Sequence, residues 1–161
     1  MKKLIAVLII LGIIGILGGC GPSIDTGNGS MSLDKGKMKF TDKDGNEAEV
    51  ATGENGVSLP EGYPTNLVPV IDDSTIMVAN KGDDNGKPTY YLLLNTTESF
   101  NDAVKYYQDA MKGATETNTL QMGTMTTLMG VKNGNTISIA VSKDDSDKTK
   151  TGVMINIAPK R

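Results

Sequence analysis

Cys20 carries the one thiol of this 161-residue chain, and the residues before it place that thiol in a recognisable context. Lys2 and Lys3 form a short positive start, and an unbroken apolar run follows over residues 4–17. This pattern is typical of a secretory signal peptide, and the run is too short to span a bilayer comfortably. Because the chain has a single cysteine, no disulfide can form within it.

The apolar run ends in Leu17-Gly18-Gly19-Cys20, which resembles the lipobox of bacterial lipoproteins. In that family the cysteine receives a diacylglyceryl thioether, and the signal peptide is cleaved directly before it. The resemblance implies cleavage between Gly19 and Cys20, lipidation of Cys20, and anchoring at the extracytoplasmic face of the cell membrane. A plain signal peptide, or an uncleaved anchor in which Cys20 is incidental, is the other interpretation.

Several residue types that catalysis commonly needs are absent. The chain has no His, and its one Arg is the final residue, Arg161. The absence of His excludes Ser-His-Asp machinery and His-based zinc sites. A net charge of −3 with one arginine argues against nucleic-acid binding. With no nucleophile elbow, phosphate-binding loop or dinucleotide fingerprint in the sequence, we predict a non-enzymatic protein without a cofactor.

Clustered carboxylates are the candidates for a metal site. Asp42, Asp44 and Asn46 are spaced like the start of a calcium loop. However, an EF-hand needs Gly at its sixth position and Glu at its twelfth, and Gly45 falls at the fourth. Asp, Asn and Gly also favour turns, so we predict turns rather than metal binding at these clusters. The remaining calcium candidates are Asp144, Asp145 and Asp147, and a further acidic pair is Asp83-Asp84.

Methionine and tyrosine side chains offer two more hypotheses. Met122, Met125 and Met129 are close in sequence, and thioethers suit Cu(I), but core filling is the favoured interpretation. The pairs Tyr90-Tyr91 and Tyr106-Tyr107 each direct one ring outward, and with Tyr63 these rings would form a recognition patch. Ordinary half-buried packing is the favoured alternative.

The sequence predicts three parts: a signal peptide, a flexible tether and one folded domain. Residues 1–19 are predicted to be the signal peptide, and residues 20–34 a flexible Gly/Ser-rich tether. Residues 35–161 are predicted to form a single domain, with an N-terminal β-hairpin over 35–58 and the main body over 59–161. The prolines of segment 59–64 predict an extended path.

Alternating apolar residues predict strands on both sides of one helix. Ser99 is the expected helix cap and Gly113 the expected stop. The apolar stripe of that helix comprises Phe100, Ala103, Val104, Tyr107 and Met111. Hairpin signals include Asn133-Gly134. We therefore predict an α+β fold: an antiparallel sheet of six to seven strands with one amphipathic helix packed on one face.

Residues 37–157 resemble a group of small secreted lipoproteins found mainly in Gram-positive bacteria. The resemblance rests on the segment Leu59-Pro60-Glu61-Gly62-Tyr63-Pro64, followed by a hairpin, a short helix with Phe100, Val104, Tyr106 and Tyr107, and Gly-punctuated strands. The preceding Lys-Asp-Gly hairpin and the Thr-Gly-Glu-Asn segment also resemble that group. It implies a cell-surface location and brings no functional residues. We predict an interaction or accessory module of the cell envelope, joined to the membrane through Cys20 and binding an envelope protein. The alternative is a lipoprotein that binds a small ligand or a metal ion.

Overall fold

The computed structural model describes residues 24–25, 29–34, 37–42, 47–52, 55–144, 147 and 149–161. Within these residues the chain forms ten strands and one helix. The strands are β1 (Ile24–Asp25), β2 (Gly29–Asp34), β3 (Lys37–Asp42), β4 (Glu47–Thr52), β5 (Ser74–Asp83), β6 (Pro88–Thr96), β7 (Thr115–Met122), β8 (Met125–Lys132), β9 (Asn135–Lys143) and β10 (Thr151–Pro159). Helix α1 (Phe100–Ala110) lies between β6 and β7.

All ten strands belong to one antiparallel sheet, in the order β1-β2-β3-β4-β5-β6-β10-β9-β8-β7. The chain runs strand by strand from β1 to β6, and α1 then carries it to the far edge of the sheet, where β7 begins. The following strands return toward the middle, and β10 pairs with both β9 and β6. The last strand of the chain therefore joins the two halves of the sheet.

One face of the sheet, the core face, carries the buried residues of the central strands. On β10 these are Val153, Ile155 and Ile157, which are at most 1% exposed. Ile155 lies between Leu92 of β6 and Ile139 of β9, and both neighbours are fully buried. Alternation of buried and exposed positions on these strands is the pattern expected for a sheet with one covered face.

Two elements cover the core face. Helix α1 contributes buried Ala103 and Tyr107, and Met111 at its C-terminal cap is also buried, as the apolar stripe predicts. Beside it lies the proline segment, defined here as residues 57–72, which contributes buried side chains of its own. These are Tyr63, Leu67, Val68 and Ile71. The predicted cover by a helix alone is therefore incomplete, since the proline segment supplies the rest.

The helix boundaries follow from the predicted capping residues. The Ser99 hydroxyl accepts a hydrogen bond from the Asp102 backbone N–H at 3.2 Å, which satisfies one free donor of the first turn. At the other end, the Lys132 ammonium group donates to the Ala110 carbonyl at 2.6 Å. Gly113 follows with a φ of +81°, a left-handed conformation that favours glycine. The predicted helix is thus confirmed at both ends.

The predicted count of six to seven strands is too low. All seven predicted strands are present, and three were missed: β1, β2 and β7. Strand β7 has no burial alternation to detect, because each of its eight residues is exposed and it pairs with β8 at the edge of the sheet. Strands β1 and β2 lie within residues 20–34, whose Gly/Ser-rich composition gives no strand signal.

The proline segment does not follow the predicted extended path. The Tyr63 N–H donates to the Pro60 carbonyl at 3.1 Å, and the Leu67 N–H donates to the Pro64 carbonyl at 2.9 Å. These bonds form two successive turns, in which Gly62 has a φ of +76°. Burial of the apolar side chains between helix and sheet favours this compact path over the extended one.

The position of β10 predicts a large contrast between two neighbouring substitutions. Ile155→Ala should lower the free energy of unfolding by about 2–5 kcal/mol, because it leaves a cavity among fully buried side chains. Met154→Ala should cost under about 1 kcal/mol, because Met154 points to the other face and is 42% exposed. Urea unfolding followed by circular dichroism measures both. An equal decrease in the free energy of unfolding for the two variants would contradict the assignment of Ile155 and Met154 to opposite faces of the sheet.

Candidate interaction face

The second face of the sheet, the open face, is covered neither by α1 nor by the proline segment. It is defined by the outward residues of β5–β10, which alternate with the buried ones. They are Thr75, Val78, Asn80, Tyr91, Leu93, Asn95, Asn118, Leu120, Met122, Met125, Thr127, Met129, Val131, Thr136, Ser138, Ala140, Ser142, Gly152, Met154, Asn156 and Ala158.

The open face carries no charged side chain across these six strands, although Asp, Glu, Lys and Arg make up 22% of the chain. The exposed face of an antiparallel sheet is normally solvated and polar. Here the exposed large apolar side chains of the described residues all lie on it: Leu120, Met122 and Met154, which are 47%, 52% and 42% exposed. Depletion of charge and exposed apolar side chains together are typical of the centre of a protein–protein interface.

Charged groups lie at one rim of the open face, where they pair with one another. Lys160 forms an ion pair with Glu116, and Arg161 pairs with Asp84 at 3.2 Å. These pairs border a shallow groove of about 510 Å³, which also includes Met129. Since each cation of the rim already has a carboxylate partner, an incoming anion would have to compete for it.

The edge of the sheet beside the open face is less suited to docking than the face itself. Strand β7 forms this edge, and its pairing with β8 shifts register between Thr115 and Asn118. Glu116 lies in this bulge with a φ of +53°. A bulge with a charged residue is a common device against edge-to-edge pairing of sheets.

The predicted lipidation residue Cys20 and the predicted cleavage site between Gly19 and Cys20 lie outside the described residues, as do the calcium candidates Asp44 and Asp145. Asp42 ends β3 and is exposed, whereas Asp144 follows β9 at the opposite end of the chain. Among the described residues, no three Cys, Asp or Glu side chains gather closely enough to hold a metal ion.

The carboxylates of two candidate residues close a turn. Asp144 accepts a hydrogen bond from the Asp147 N–H at 3.0 Å. Asp147 accepts bonds from the Thr149 hydroxyl at 2.5 Å and the Thr149 N–H at 3.1 Å, and it pairs with Lys150 at 3.1 Å. The Thr149 hydroxyl and then Lys150 hold the pKa of Asp147 down, at about 2. A calcium ion at Asp147 would have to displace these partners.

The Asp83-Asp84 pair also closes a turn. Asp83 accepts a hydrogen bond from the Gly86 N–H at 2.7 Å, and Asp84 is the carboxylate that pairs with Arg161. Asn85 and Gly86 have φ values of +57° and +78°, as a tight hairpin turn between β5 and β6 requires.

The methionine cluster lies on the open face. Met122 and Met125 are directly opposite each other on β7 and β8, and Met129 lies on the same face of β8. The sequence predicted that Met125, Thr127, Met129 and Val131 share a strand face, and their burial pattern agrees. The sequence analysis did not predict that the neighbouring strands also present uncharged residues on the open face.

Tyr91 lies on the open face, but the other four tyrosines pack inward, so the predicted recognition patch of outward rings with Tyr63 does not form. Tyr63, Tyr90 and Tyr107 are buried, and the Tyr63 and Tyr90 rings meet edge to face at 5.6 Å between centroids. The Tyr90 hydroxyl donates to the Gly62 carbonyl at 2.8 Å, and the Tyr106 hydroxyl donates to the Val70 carbonyl at 3.2 Å. Burial raises the pKa of Tyr63 above its ordinary range. These rings fasten the proline segment to the sheet and the helix.

The low pKa of Asp147 depends first on the Thr149 hydroxyl, so removal of that hydroxyl should have a measurable effect on the pKa. Thr149→Val should raise the pKa of Asp147 toward the ordinary value of about 3.9, because the first of its hydrogen-bond donors is lost. The turn contacts of the wild-type carboxylate are present at neutral pH and are lost as the pH falls toward about 2. Carboxyl ¹³C titration by NMR measures the shift, with Thr117→Val on β7 as the control. An unchanged Asp147 titration would contradict the role of Thr149.

Comparison with known proteins returned no match: no protein-family model, curated protein or solved structure matches this chain. No helix within the described ranges has the length and apolarity that a membrane crossing requires.

Proposed function

We propose that this chain is a lipid-anchored lipoprotein of the extracytoplasmic membrane face, and that its folded part is a non-enzymatic interaction module of the cell envelope. The interaction role is supported by one observation above others, the uncharged open face. An exposed sheet face that presents Leu120, Met122 and Met154 without a single charge is costly to leave in water. Its coverage by a protein partner would remove that cost.

The anchoring role is supported by the first twenty residues. The basic start, the apolar run over residues 4–17 and the small residue before Cys20 fit a lipoprotein signal. Two or three acyl chains on Cys20 would hold the protein firmly, since each buried CH₂ contributes about 0.8 kcal/mol. The acidic chain offers little attraction of its own for an anionic membrane surface.

The alternative, a lipoprotein that binds a small ligand or a metal ion, has less support. The groove beside Lys160 and Arg161 is shallow, and both cations are paired with carboxylates. The described carboxylates of the calcium candidates 144 and 147 accept hydrogen bonds from their own turn.

Removal of the Cys20 thiol tests the anchor. Cys20→Ser should move the protein from the membrane fraction to the soluble extracytoplasmic fraction and abolish labelling by an alkynyl fatty acid, because the acyl chains have no attachment point. Ser23→Ala, three residues on, keeps the lipobox and should remain membrane-bound and labelled. Retention of Cys20→Ser in the membrane fraction would overturn the anchoring proposal.

A charge placed on the open face tests the interaction role. Met154→Lys should weaken assembly at least about tenfold, because burial of an unpaired ammonium group is strongly unfavourable. The measurement is native electrophoresis of membranes dissolved in a mild detergent, in which the wild-type chain should migrate as part of a larger species. Asn101→Lys on the exposed side of α1 is the matched control. A monomeric wild-type chain, or equal migration of both variants with the wild type, would overturn the interaction role.

A further inference from the structure

We propose that the open face binds the open face of a second copy of this chain, so that two sheets pack into a sandwich. This inference rests on the proposed interaction role and names its partner. Four features of the open face carry it: its lack of charge, its area, the arrangement of its central row, and its polar composition.

The charge distribution favours self-association through this face over any other. The chain has a net charge of −3, so two copies repel each other on average, although weakly. The open face has no charges to repel. At its rim, Lys160 with Glu116 and Arg161 with Asp84 form locally neutral pairs. Two open faces can therefore meet without burying an unpaired charge.

The area of the open face is sufficient for a specific dimer. Six strands at a spacing of about 4.8 Å, each extending over roughly seven residues at about 3.4 Å per residue, cover about 690 Å². Two such faces in contact bury roughly 1,400 Å², within the range of about 1,200–2,000 Å² for specific protein–protein interfaces. Val50 and Met38 lie on the same side of β4 and β3 by register, so apolar residues continue beyond β5 on this side.

The central row of the open face is complementary to itself. Its members, in order across the sheet, are Val78, Leu93, Met154, Ala140, Thr127 and Leu120. A twofold axis parallel to the strands between β10 and β9 places Met154 of each copy over Ala140 of the other. The long thioether side chain then faces the smallest side chain of the row. The same axis places Val78 over Leu120, so that apolar residues meet at both ends.

The polar composition distinguishes this partner from a lipid surface. Asn, Ser and Thr side chains are interspersed over the open face, among them Asn95, Ser138 and Asn156. Their transfer into lipid would cost hydrogen bonds that hydrocarbon cannot replace. The face also has no Lys or Arg to attract anionic headgroups. A second protein surface of the same mixed composition can satisfy these groups, as sheet-on-sheet packing does about 10 Å apart.

Site-specific crosslinking in living cells tests the inference with the full chain. Met154→Cys places a thiol near the centre of the open face, and a short bismaleimide should join two copies into a species of twice the single-chain mass. The wild-type chain, whose sole thiol is Cys20, controls for reaction at that residue. Asn101→Cys on the exposed side of α1 controls for random collision. The yield from Met154→Cys should exceed that of both controls at least about tenfold.

A second variant makes the test specific for face-to-face contact. Adding Ala140→Lys to Met154→Cys should reduce the covalent dimer at least about tenfold, because the axis places each lysine opposite position 154 of the other copy, where its charge would be buried unpaired. A crosslink from Met154→Cys to a different protein would overturn self-association and leave the interaction role standing. Self-association through the open face would also be overturned if Met154→Cys gave no crosslink, or if Ala140→Lys left the yield of covalent dimer unchanged. The membrane fraction of the same cells reports separately on the anchor.

Discussion

The insertion of β10 between β6 and β9 is the contact on which the rest of the structure depends. The first six strands and the last four are consecutive within themselves, and only the β6–β10 pairing connects the two groups within the sheet. That pairing aligns Val153, Ile155 and Ile157 with buried residues on both sides. Because α1 and three further strands separate β10 from β6 in the chain, the central core forms by pairing of distant segments. Such non-local pairing is expected to slow folding.

The same pairing fixes the character of both faces, because side chains alternate between them with a period of two. One register places every large aliphatic residue of β10 toward α1 and the proline segment, and it places Met154 and Asn156 on the other side. On the central strands β6, β10, β9 and β8 this yields a covered core face, and across β5–β10 it yields an uncharged open face. The open face is therefore a consequence of the registers of six strands together, and no single strand reveals it.

Local patterns in the sequence predict much of the fold, and the failures have physical causes. Ser99 and Gly113 bound the helix because capping depends on adjacent residues, and Asn133-Gly134 forms its hairpin because positive φ values are local properties. Strand β7 was missed because edge pairing needs no buried face. The turns around Gly62 were missed because tertiary burial of Tyr63 outweighs the local preference of the prolines. The lowered pKa of Asp147 could not be predicted either, since it depends on hydrogen bonds that form only in the folded turn.

The central claim is that the open face is covered in the cell. Oxidation of methionine thioethers by dilute peroxide in living cells, followed by mass spectrometry, tests it most directly. Met154 is 42% exposed in the single chain, and Met111, buried under α1 at 8%, provides an internal standard. If the face is covered, Met154 should be oxidised about as slowly as Met111. Oxidation of Met154 at the rate of a methionine in the unfolded chain would contradict the claim.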